Sequence, residues 1–305
     1  MTWNPRHPPR QDGRTFVVTG GNAGLGYFTA EQLARSGAHV VLATRNAARA
    51  DVAASSIRGN VAGASIDTVD VDVASLGSVR DAGARLADYG RLDGLILNAG
   101  ATTGSGARQE SVDGFELTMA TNFIGHFALT ALAWPALTRT AGSRVVGLGS
   151  LATLMVRPHA GDMQSLRSYN FFRAYAFSKH AMHGFILELD RRVRESAVDV
   201  SALLAHPGYA IDSRTLLRPG IAEFTPLERA AGIFAVGTQG KNRGAAPTVR
   251  AALDPSLSSG DFVGPQHLTQ GRPTLQRPTG TSASREFGGH VWALAEEWTG
   301  LEFDV

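Results

Sequence analysis

A tyrosine and a lysine four residues apart, in the segment Tyr175-Ala-Phe-Ser-Lys179, are the side chains that most directly suggest chemistry. Residues at i and i+4 share one face of a helix, so the phenol and the ammonium can point into the same site. A free tyrosine has a pKa of about 10, and a nearby cation lowers it, which makes the phenol a usable general acid or base. An amphipathic helix that carries both residues for other reasons is the structural alternative.

A glycine-rich segment, Val17–Gly26 (VVTGGNAGLG), suggests where a cofactor phosphate could bind. Gly20, Gly24 and Gly26 lie between an apolar run and a helical pattern. Glycine accepts positive φ and lets backbone amides approach a pyrophosphate at a helix N-terminus. A tight strand-to-helix turn without a ligand is the alternative, and the position at the first β-to-α connection favours the phosphate site.

These residues must be positioned by a chain in which short apolar runs alternate with segments of helical period. Strands are predicted at Phe16–Thr19, His39–Ala43, Asp67–Val71, Gly94–Leu97, Arg144–Leu148 and Val198–Leu204. Helices are predicted at Tyr27–Ser36, Leu76–Tyr89, Leu117–Leu137, Ala176–Arg194, Leu227–Gln239 and Ser284–Thr299. The alternation predicts an α/β fold with a doubly wound parallel sheet between two layers of helices, and ligands at the carboxyl ends of the strands.

We expect one domain over residues 1–305, because neither a repeat nor a sharp change of composition divides the chain. Its cofactor-binding half would be about 14–150, and its catalytic and substrate-lid half about 151–305. Residues 208–285 are rich in Gly, Pro, Ser and Thr, and the segment Tyr209–Thr225 is the expected lid over the substrate.

Composition excludes several classes of function. Counts of 29 basic and 27 acidic residues leave a net charge of +2 without a basic run, so we expect no nucleic-acid partner. The absence of cysteine excludes disulfides and thiolate metal sites, and His126, His180 and His206 lack metal-ligand spacing, so we expect no metal. The polar N-terminus and the lack of a long apolar run predict a cytoplasmic protein without a membrane span.

Four short motifs give the chain a resemblance to the short-chain dehydrogenase/reductase family, over about residues 14–208. They are the glycine segment Thr19–Gly26, the pair Asp72-Val73, the triplet Asn98-Ala99-Gly100 and the pair Pro207-Gly208. Each motif alone is weak, but the four occur in the family's order and at the ends of the predicted strands. The resemblance implies a Rossmann fold that binds a nicotinamide dinucleotide.

The resemblance also implies a catalytic set of Asn122, Ser150, Tyr175 and Lys179. Tyr175 would exchange the proton, Ser150 would stabilise the substrate oxygen, and Lys179 would bind the nicotinamide ribose and lower the pKa of Tyr175. Asn122 would hold a water in the proton relay. A turn serine at Ser150 and a buried amide closing a local hydrogen bond at Asn122 are the structural alternatives.

The residues expected to bind the cofactor follow from the same motifs and from the end of the second strand. They are Gly20, Asn22, Gly24, Leu25, Gly26, Arg45, Asp72, Val73, Asn98, Ala99, Gly100, Tyr175, Lys179, Pro207 and Gly208.

The second predicted strand ends in Thr44-Arg45, where an enzyme built for NAD usually places a carboxylate on the ribose 2′-hydroxyl. Arg45 instead offers a planar cation suited to a 2′-phosphate, and Asn22 could add a donor. The sequence therefore favours NADP, with NAD as the alternative if Arg45 is only a surface residue.

Three departures from the family pattern bear on the substrate. Gly147-Leu-Gly-Ser150 replaces the common Asn-Val-Ser-Ser, and Asp212 stands where a threonine often touches the carboxamide. The segment Met155–Phe172 lengthens the interval between Ser150 and Tyr175, as in the branch that resembles retinol dehydrogenases and protochlorophyllide reductases. It either shapes the substrate mouth or is a surface excursion.

The expected function is carbonyl–alcohol interconversion on a small-to-medium apolar substrate with NADP(H). A dinucleotide-binding sensor or scaffold without turnover is the alternative, although such a protein has no need of a proton relay. A homodimer through the long helices of Asn122 and Tyr175, and burial of the same helix faces in the core, are both compatible with the pattern.

Overall fold

The computed structural model describes residues 3–5, 7–102, 104, 106–225, 227–228, 230 and 235–305. Ten strands are formed by these residues: β1 (Thr15–Thr19), β2 (His39–Thr44), β3 (Ser65–Asp70), β4 (Gly94–Leu97), β5 (Ser143–Leu148), β6 (Val200–Ala205), β7 (Ala210–Ile211), β8 (Gln239–Gly240), β9 (Phe262–Pro265) and β10 (Pro273–Gln276).

Eight of the strands form one sheet in the order β10-β9-β6-β5-β4-β1-β2-β3. Neighbours are parallel except for β10, which runs antiparallel to β9 at one edge. The order reverses between β1 and β4, so the carboxyl ends of these two strands border the crevice in which such sheets bind ligands. The predicted doubly wound α/β fold is confirmed.

Helices cover both faces of the sheet. Their bounds are α1 (Gly24–Arg35), α2 (Ala47–Asn60), α3 (Leu76–Ala87), α4 (Leu117–Met119), α5 (Gly125–Arg139), α6 (Phe171–Ser196), α7 (Lys241–Gly244), α8 (Ala246–Leu253), α9 (Gly280–Ala283) and α10 (Arg285–Thr299). A π-helical segment, Ala120–Ile124, joins α4 to α5 without a break. None of the helices in the described part of the chain is long and apolar enough to cross a membrane.

Two apolar cores, one on each face, hold the layers together. One joins the sheet to α1, α2 and α8 through residues such as Phe28, Leu33 and Ile57. The other joins it to α3, α5, α6 and α10, and Phe127 and Phe185 are fully buried there. The burial of α5 and α6 fixes the two helices on which the predicted catalytic residues depend.

The C-terminal helix α10 completes the second core. The Trp292 ring packs edge-on against Phe127 at 5.3 Å between centroids, and it stacks on Phe303 at 5.0 Å. The guanidinium of Arg192, on α6, lies 4.0 Å from the centre of the Trp292 ring. Residues 285–305 thus cover the outward faces of α5 and α6.

The predicted elements differ from the structure at α2, which was not predicted, and in the C-terminal third. β9, β10 and α8 were not predicted, because their apolar runs are short and interrupted by Gly and Pro. Much of the predicted helix Leu227–Gln239 lies outside the described residues, and its end was wrong because Gln239 belongs to β8. β3 begins at Ser65, two residues before the prediction.

Candidate active site

The glycine segment forms the turn between β1 and α1. Gly20 has a φ of +64°, in the left-handed region that favours glycine, and its N–H donates to the Ala43 carbonyl at 2.7 Å. A Cβ on Gly26 would lie 2.2 Å from the Gly20 carbonyl oxygen, so only glycine fits there. The turn therefore leaves the N-terminal amides of α1 free of side-chain bulk, as a phosphate site requires.

Asn98 fastens the end of β4 to the end of β1. Its Nδ2 donates to the Thr19 carbonyl at 2.8 Å, and the amides of Asn98 and Ala99 donate to Thr19 Oγ1, each at 2.9 Å. The Oδ1 atom of Asn98 is buried and has no hydrogen-bond partner among the described residues. A polar acceptor thus remains available beneath the glycine turn.

The end of β2 places the residues expected at the adenosine. Thr44 Oγ1 donates to Asn22 Oδ1 at 2.9 Å, which holds Asn22 beside the strand end. The Arg45 side chain is 73% exposed, and its Nη1 lies 3.8 Å from Asp72 Oδ2. Asp72 Oδ1 accepts from the Ala74 amide at 3.0 Å, so the carboxylate is fixed by its own turn. Arg45 is only loosely held and remains available to an anion.

Ser150 and Tyr175 come together at the end of β5. Ser150 precedes the 3₁₀ turn Leu151–Leu154, and its Oγ accepts from the Ala152 amide at 3.2 Å. Tyr175 lies in the first turns of α6, which Asn170 caps by accepting from the Phe172 and Arg173 amides. Burial raises the pKa of Tyr175, and a hydrogen bond with the Ser150 hydroxyl opposes that rise. The two hydroxyls are therefore within reach of one substrate oxygen.

Lys179 lies one turn further along α6 and is 5% exposed. Its Nζ donates to the Leu148 carbonyl at 2.8 Å and lies 5.9 Å from the centre of the Tyr175 ring. Burial lowers the pKa of Lys179 to about 8. The expected lowering of the Tyr175 pKa by Lys179 is not seen in this geometry, because the ammonium is directed to the strand end rather than to the phenol.

Asn122 lies in the π-helical segment and is fully buried. Its Oδ1 accepts from the Ala101 amide at 2.8 Å, and its Nδ2 donates to Ser178 Oγ at 2.9 Å. The side chain thus closes a local network, as the structural alternative required, and no direct contact with Lys179 is formed. The two side chains still converge on Gly100, where a Cβ would lie 3.2 Å from Asn122 Oδ1 and 3.7 Å from Lys179 Nζ.

Pro207 and Gly208 follow β6 and pack against the turn after β9. Gly208 has a φ of +67°, and a Cβ there would lie 2.3 Å from the Thr269 carbonyl oxygen. The Pro207 carbonyl accepts from Gln239 Nε2 at 2.8 Å. The contributions of Gln239 and Thr269 were missed, because nothing in the sequence signals that their segments return to this strand end.

Asp212, which stands where a threonine often touches the carboxamide, forms an ion pair with Lys241, with 2.6 Å between Oδ1 and Nζ. Lys241 is one of only two lysines in the chain, and nothing in the sequence indicates a role for it. Its placement here depends on the pairing of β7 with β8, which the sequence did not indicate.

The histidines beside the motifs are buried structural groups. His126 Nε2 lies 3.0 Å from Thr19 Oγ1, and His180 lies between Ser282 Oγ and the Val156 carbonyl, each at 2.7 Å. His183, which the sequence did not single out, has neither ring nitrogen hydrogen-bonded among the described residues. Within the same part of the chain, no group of His, Asp and Glu is arranged to hold a metal ion.

Comparison with known proteins agrees with this fold. The family model described as short chain dehydrogenase matches residues 14–212, so the chain belongs to the short-chain dehydrogenase/reductase family. It is 35% identical over 297 residues to retinol dehydrogenase 13 of Homo sapiens, covering 95% of this chain and 86% of that protein. It is 34% identical over 297 residues to polyprenol dehydrogenase of Mus musculus, covering 96% and 85% respectively.

A solved structure resembles the whole chain. The crystal structure of an uncharacterized protein from Mycobacterium paratuberculosis matches with a TM-score of 0.81 and 31% identity over 100% of both chains. The family model and these relatives show that the chain is an oxidoreductase of the retinol-dehydrogenase-like branch. It acts on CH–OH groups with a nicotinamide dinucleotide.

Proposed function

We propose that the protein interconverts a carbonyl and a primary or secondary alcohol on a small-to-medium apolar substrate, with NADP(H) and with Tyr175 as the acid/base. The observation that carries the proposal is the proximity of the Ser150 and Tyr175 side chains at the end of β5, with Lys179 one turn further along α6 and its ammonium on the Leu148 carbonyl. This grouping lies beside the glycine turn of β1, across the carboxyl end of β4.

The residues at the strand ends fit a bound dinucleotide. The Gly20–Gly26 turn gives a phosphate access to the backbone amides at the N-terminus of α1. A nicotinamide bound there would supply or accept the hydride. Tyr175 would give a proton to the substrate oxygen or take it back, and Ser150 would donate a hydrogen bond to the same oxygen.

The preference for NADP rests on Arg45. Its exposed guanidinium at the end of β2 can bind a 2′-phosphate, while no carboxylate replaces it at that strand end to accept from a ribose hydroxyl. We expect Arg45→Ala to weaken NADPH binding by about tenfold and to leave NADH binding unchanged, as measured by fluorescence titration. Equal binding of the two dinucleotides by the wild-type protein would contradict the preference.

The apolar character of the substrate is inferred from the segments that follow Ser150 and Gly208. They carry large apolar side chains that are exposed to solvent, namely Leu154, Met155, Tyr209, Leu216 and Leu217. An apolar substrate would bury these side chains on binding, which is favourable. Three of these residues, Tyr209, Leu216 and Leu217, also support the expected lid at Tyr209–Thr225.

The decisive experiment is Tyr175→Phe, assayed for turnover of apolar alcohols and aldehydes and for NADPH binding. We expect turnover to fall by at least about 100-fold while the dissociation constant of NADPH stays the same. Tyr89→Phe is the matched control, because Tyr89 lies between α3 and the amino end of β4, whereas the carboxyl end of β4 borders the proposed site. Unchanged turnover in Tyr175→Phe would contradict the mechanism.

The alternative is a non-catalytic sensor or scaffold that binds the dinucleotide without turnover. Tight NADPH binding without conversion of any alcohol or carbonyl in such a screen would favour it. Organisation as one domain, a cytoplasmic location, the absence of a nucleic-acid partner and the oligomeric state stay predictions.

A further inference from the structure

Lys241 places an ammonium directly over the glycine turn. Its side chain comes within 3.6 Å of the position that a Cβ on Gly24 would take, and its Nζ lies 3.7 Å from that position. Gly24 is the first residue of α1, where the N-terminal amides are exposed to a bound anion. The ammonium therefore faces the same point from the other side of the crevice.

The fold fixes Lys241 there by several contacts. β7 and β8 pair in parallel with Ile211 opposite Gly240, so Asp212 and Lys241 follow the two strands side by side. The Lys241 amide donates to Thr215 Oγ1 at 2.9 Å. Gln32 Nε2, on α1, donates to the Asn242 carbonyl at 2.9 Å, which holds α7 against α1.

Lys241 has a partner that an anion can replace. It pairs with Asp212 at 2.6 Å, and the Asp212 side chain is 60% exposed while that of Lys241 is 26% exposed. An exposed carboxylate loses little when its partner leaves, because water solvates it again. A dinucleotide diphosphate carries two negative charges and would lie among the fixed amides of α1, so it offers the ammonium a stronger site.

We propose that Lys241 is a cofactor-binding residue that leaves Asp212 and binds the diphosphate of the dinucleotide. The inference rests on the proposed function, since it requires a dinucleotide at the glycine turn. The segment after the lid would thus supply one of the cations that bind the cofactor. Asp212 would compete with the cofactor for the same ammonium.

Substitutions of Lys241 and of Asp212 distinguish a cofactor-binding role from a structural one, because they should change the affinity for the dinucleotide in opposite directions. Lys241→Met should weaken NADPH and NADH by the same factor, about tenfold, since both cofactors carry the diphosphate. Asp212→Asn should tighten both, by about threefold, because the free ammonium no longer has to leave a carboxylate. If the pair only held the lid, both variants would weaken binding.

The test is fluorescence titration of the full-length variants with NADPH and with NADH, beside Lys241→Arg and Arg45→Ala as controls. Lys241→Arg keeps the charge and should bind within about threefold of the wild type. Arg45→Ala should affect NADPH alone. Unchanged binding by Lys241→Met, or weakened binding by Asp212→Asn, would overturn the proposal while leaving the proposed function in place. Wild-type protein that binds neither dinucleotide would overturn both.

A second readout needs no variant, since the chain has only two lysines and Lys179 is buried. An amine-reactive reagent should modify Lys241, and saturating NADPH should slow its modification at least about fivefold in a peptide map by mass spectrometry. Equal modification with and without a saturating cofactor would contradict the contact.

Discussion

At the scale of single residues, Gly149 shows how His183 packs against the end of β5, next to Ser150, the serine proposed to act in catalysis. A Cβ at this position would lie 2.0 Å from Nε2 of His183, so the imidazole occupies the space that a side chain would need. The ring also packs edge-on against Phe262, with 5.2 Å between centroids. The departure from the common Ser-Ser at this strand end is therefore explained by a histidine on α6 that fills the gap.

This packing predicts a compensating pair. Gly149→Ser should lower the free energy of unfolding by about 2 kcal/mol, because the new side chain overlaps the imidazole. Gly149→Ser combined with His183→Ala should recover most of that loss, as urea denaturation would measure. Additive effects of the two substitutions would show that Gly149 and His183 are not coupled.

Two buried histidines make the stability of the fold depend on pH. Burial, together with the positive charge of Lys179, lowers the pKa of His126 and of His183 to about 3. Each folded-state pKa is below its unfolded value, so the unfolded chain binds protons first as the pH falls. Stability is therefore complete above pH 6.5 and is lost progressively between about 6.5 and 3.

As the pH falls from 7 to 5, we expect His126 and His183 each to lower the free energy of unfolding by about 2 kcal/mol. His183→Leu should be nearly neutral at pH 7, because the ring nitrogens have no partner among the described residues, and it should lose less stability at pH 5. Urea denaturation at both pH values measures the difference. An unchanged pH dependence in His183→Leu would mean that His183 is protonated without cost.

At the scale of elements, a buried ion pair connects α1 to the predicted lid. Arg218 Nε and Nη2 donate to the two carboxylate oxygens of Glu31 at 2.6 and 2.8 Å, and Arg35 Nη2 lies 2.5 Å from the same group. Burial alone would raise the pKa of Glu31, but the bonds and charges of the two arginines hold it below its usual value. The lid is thus anchored at Arg218.

Removing the anchor should loosen the lid. Arg218→Met leaves the buried carboxylate with Arg35 alone and should cost about 2 kcal/mol of unfolding free energy. Chymotrypsin should then cut more rapidly at Tyr209, Leu216 or Leu217, and the KM for an apolar substrate should rise more than kcat falls. Arg285→Met, which breaks an exposed pair with Glu195, is the matched control and should change neither. Equal cleavage rates in the two variants would contradict the anchor.

The same elements show what the sequence could and could not reveal. The strands β1, β2, β4, β5 and β6 were predicted closely, because they are mostly apolar and almost entirely buried. The start of β3 was missed by two residues, because this strand is polar and half exposed. Positions of Ser150 and Tyr175 followed from the strand and helix that carry them. The ion pair of Lys241 could not be predicted, since it depends on the two-residue pairing of β7 with β8, which has no periodic pattern. A local hydrogen bond at Asn122 was one of the two predicted alternatives, but its partner could not be predicted, because the network is closed by the Ala101 backbone.

At the scale of the whole molecule, α10 lies where a second subunit would have to bind for a dimer through α5 and α6. Trp292 is 1% exposed and packs with Phe127 and Phe185 of those helices. We therefore predict a monomer in dilute solution. Light scattering after size exclusion should give the mass of one chain, and a mass of two chains would contradict the prediction.

The covering by residues 285–305 has a further consequence for biosynthesis. Phe127 and Phe185 belong to segments that leave the ribosome more than a hundred residues before Trp292 and Phe303, with which they share a core. During that interval the helix of Tyr175 has an uncovered aromatic face, which is a surface that chaperones bind and that promotes aggregation. Nascent chains stalled before residue 285 should therefore be captured by such factors, and chains extended past residue 305 should be released from them.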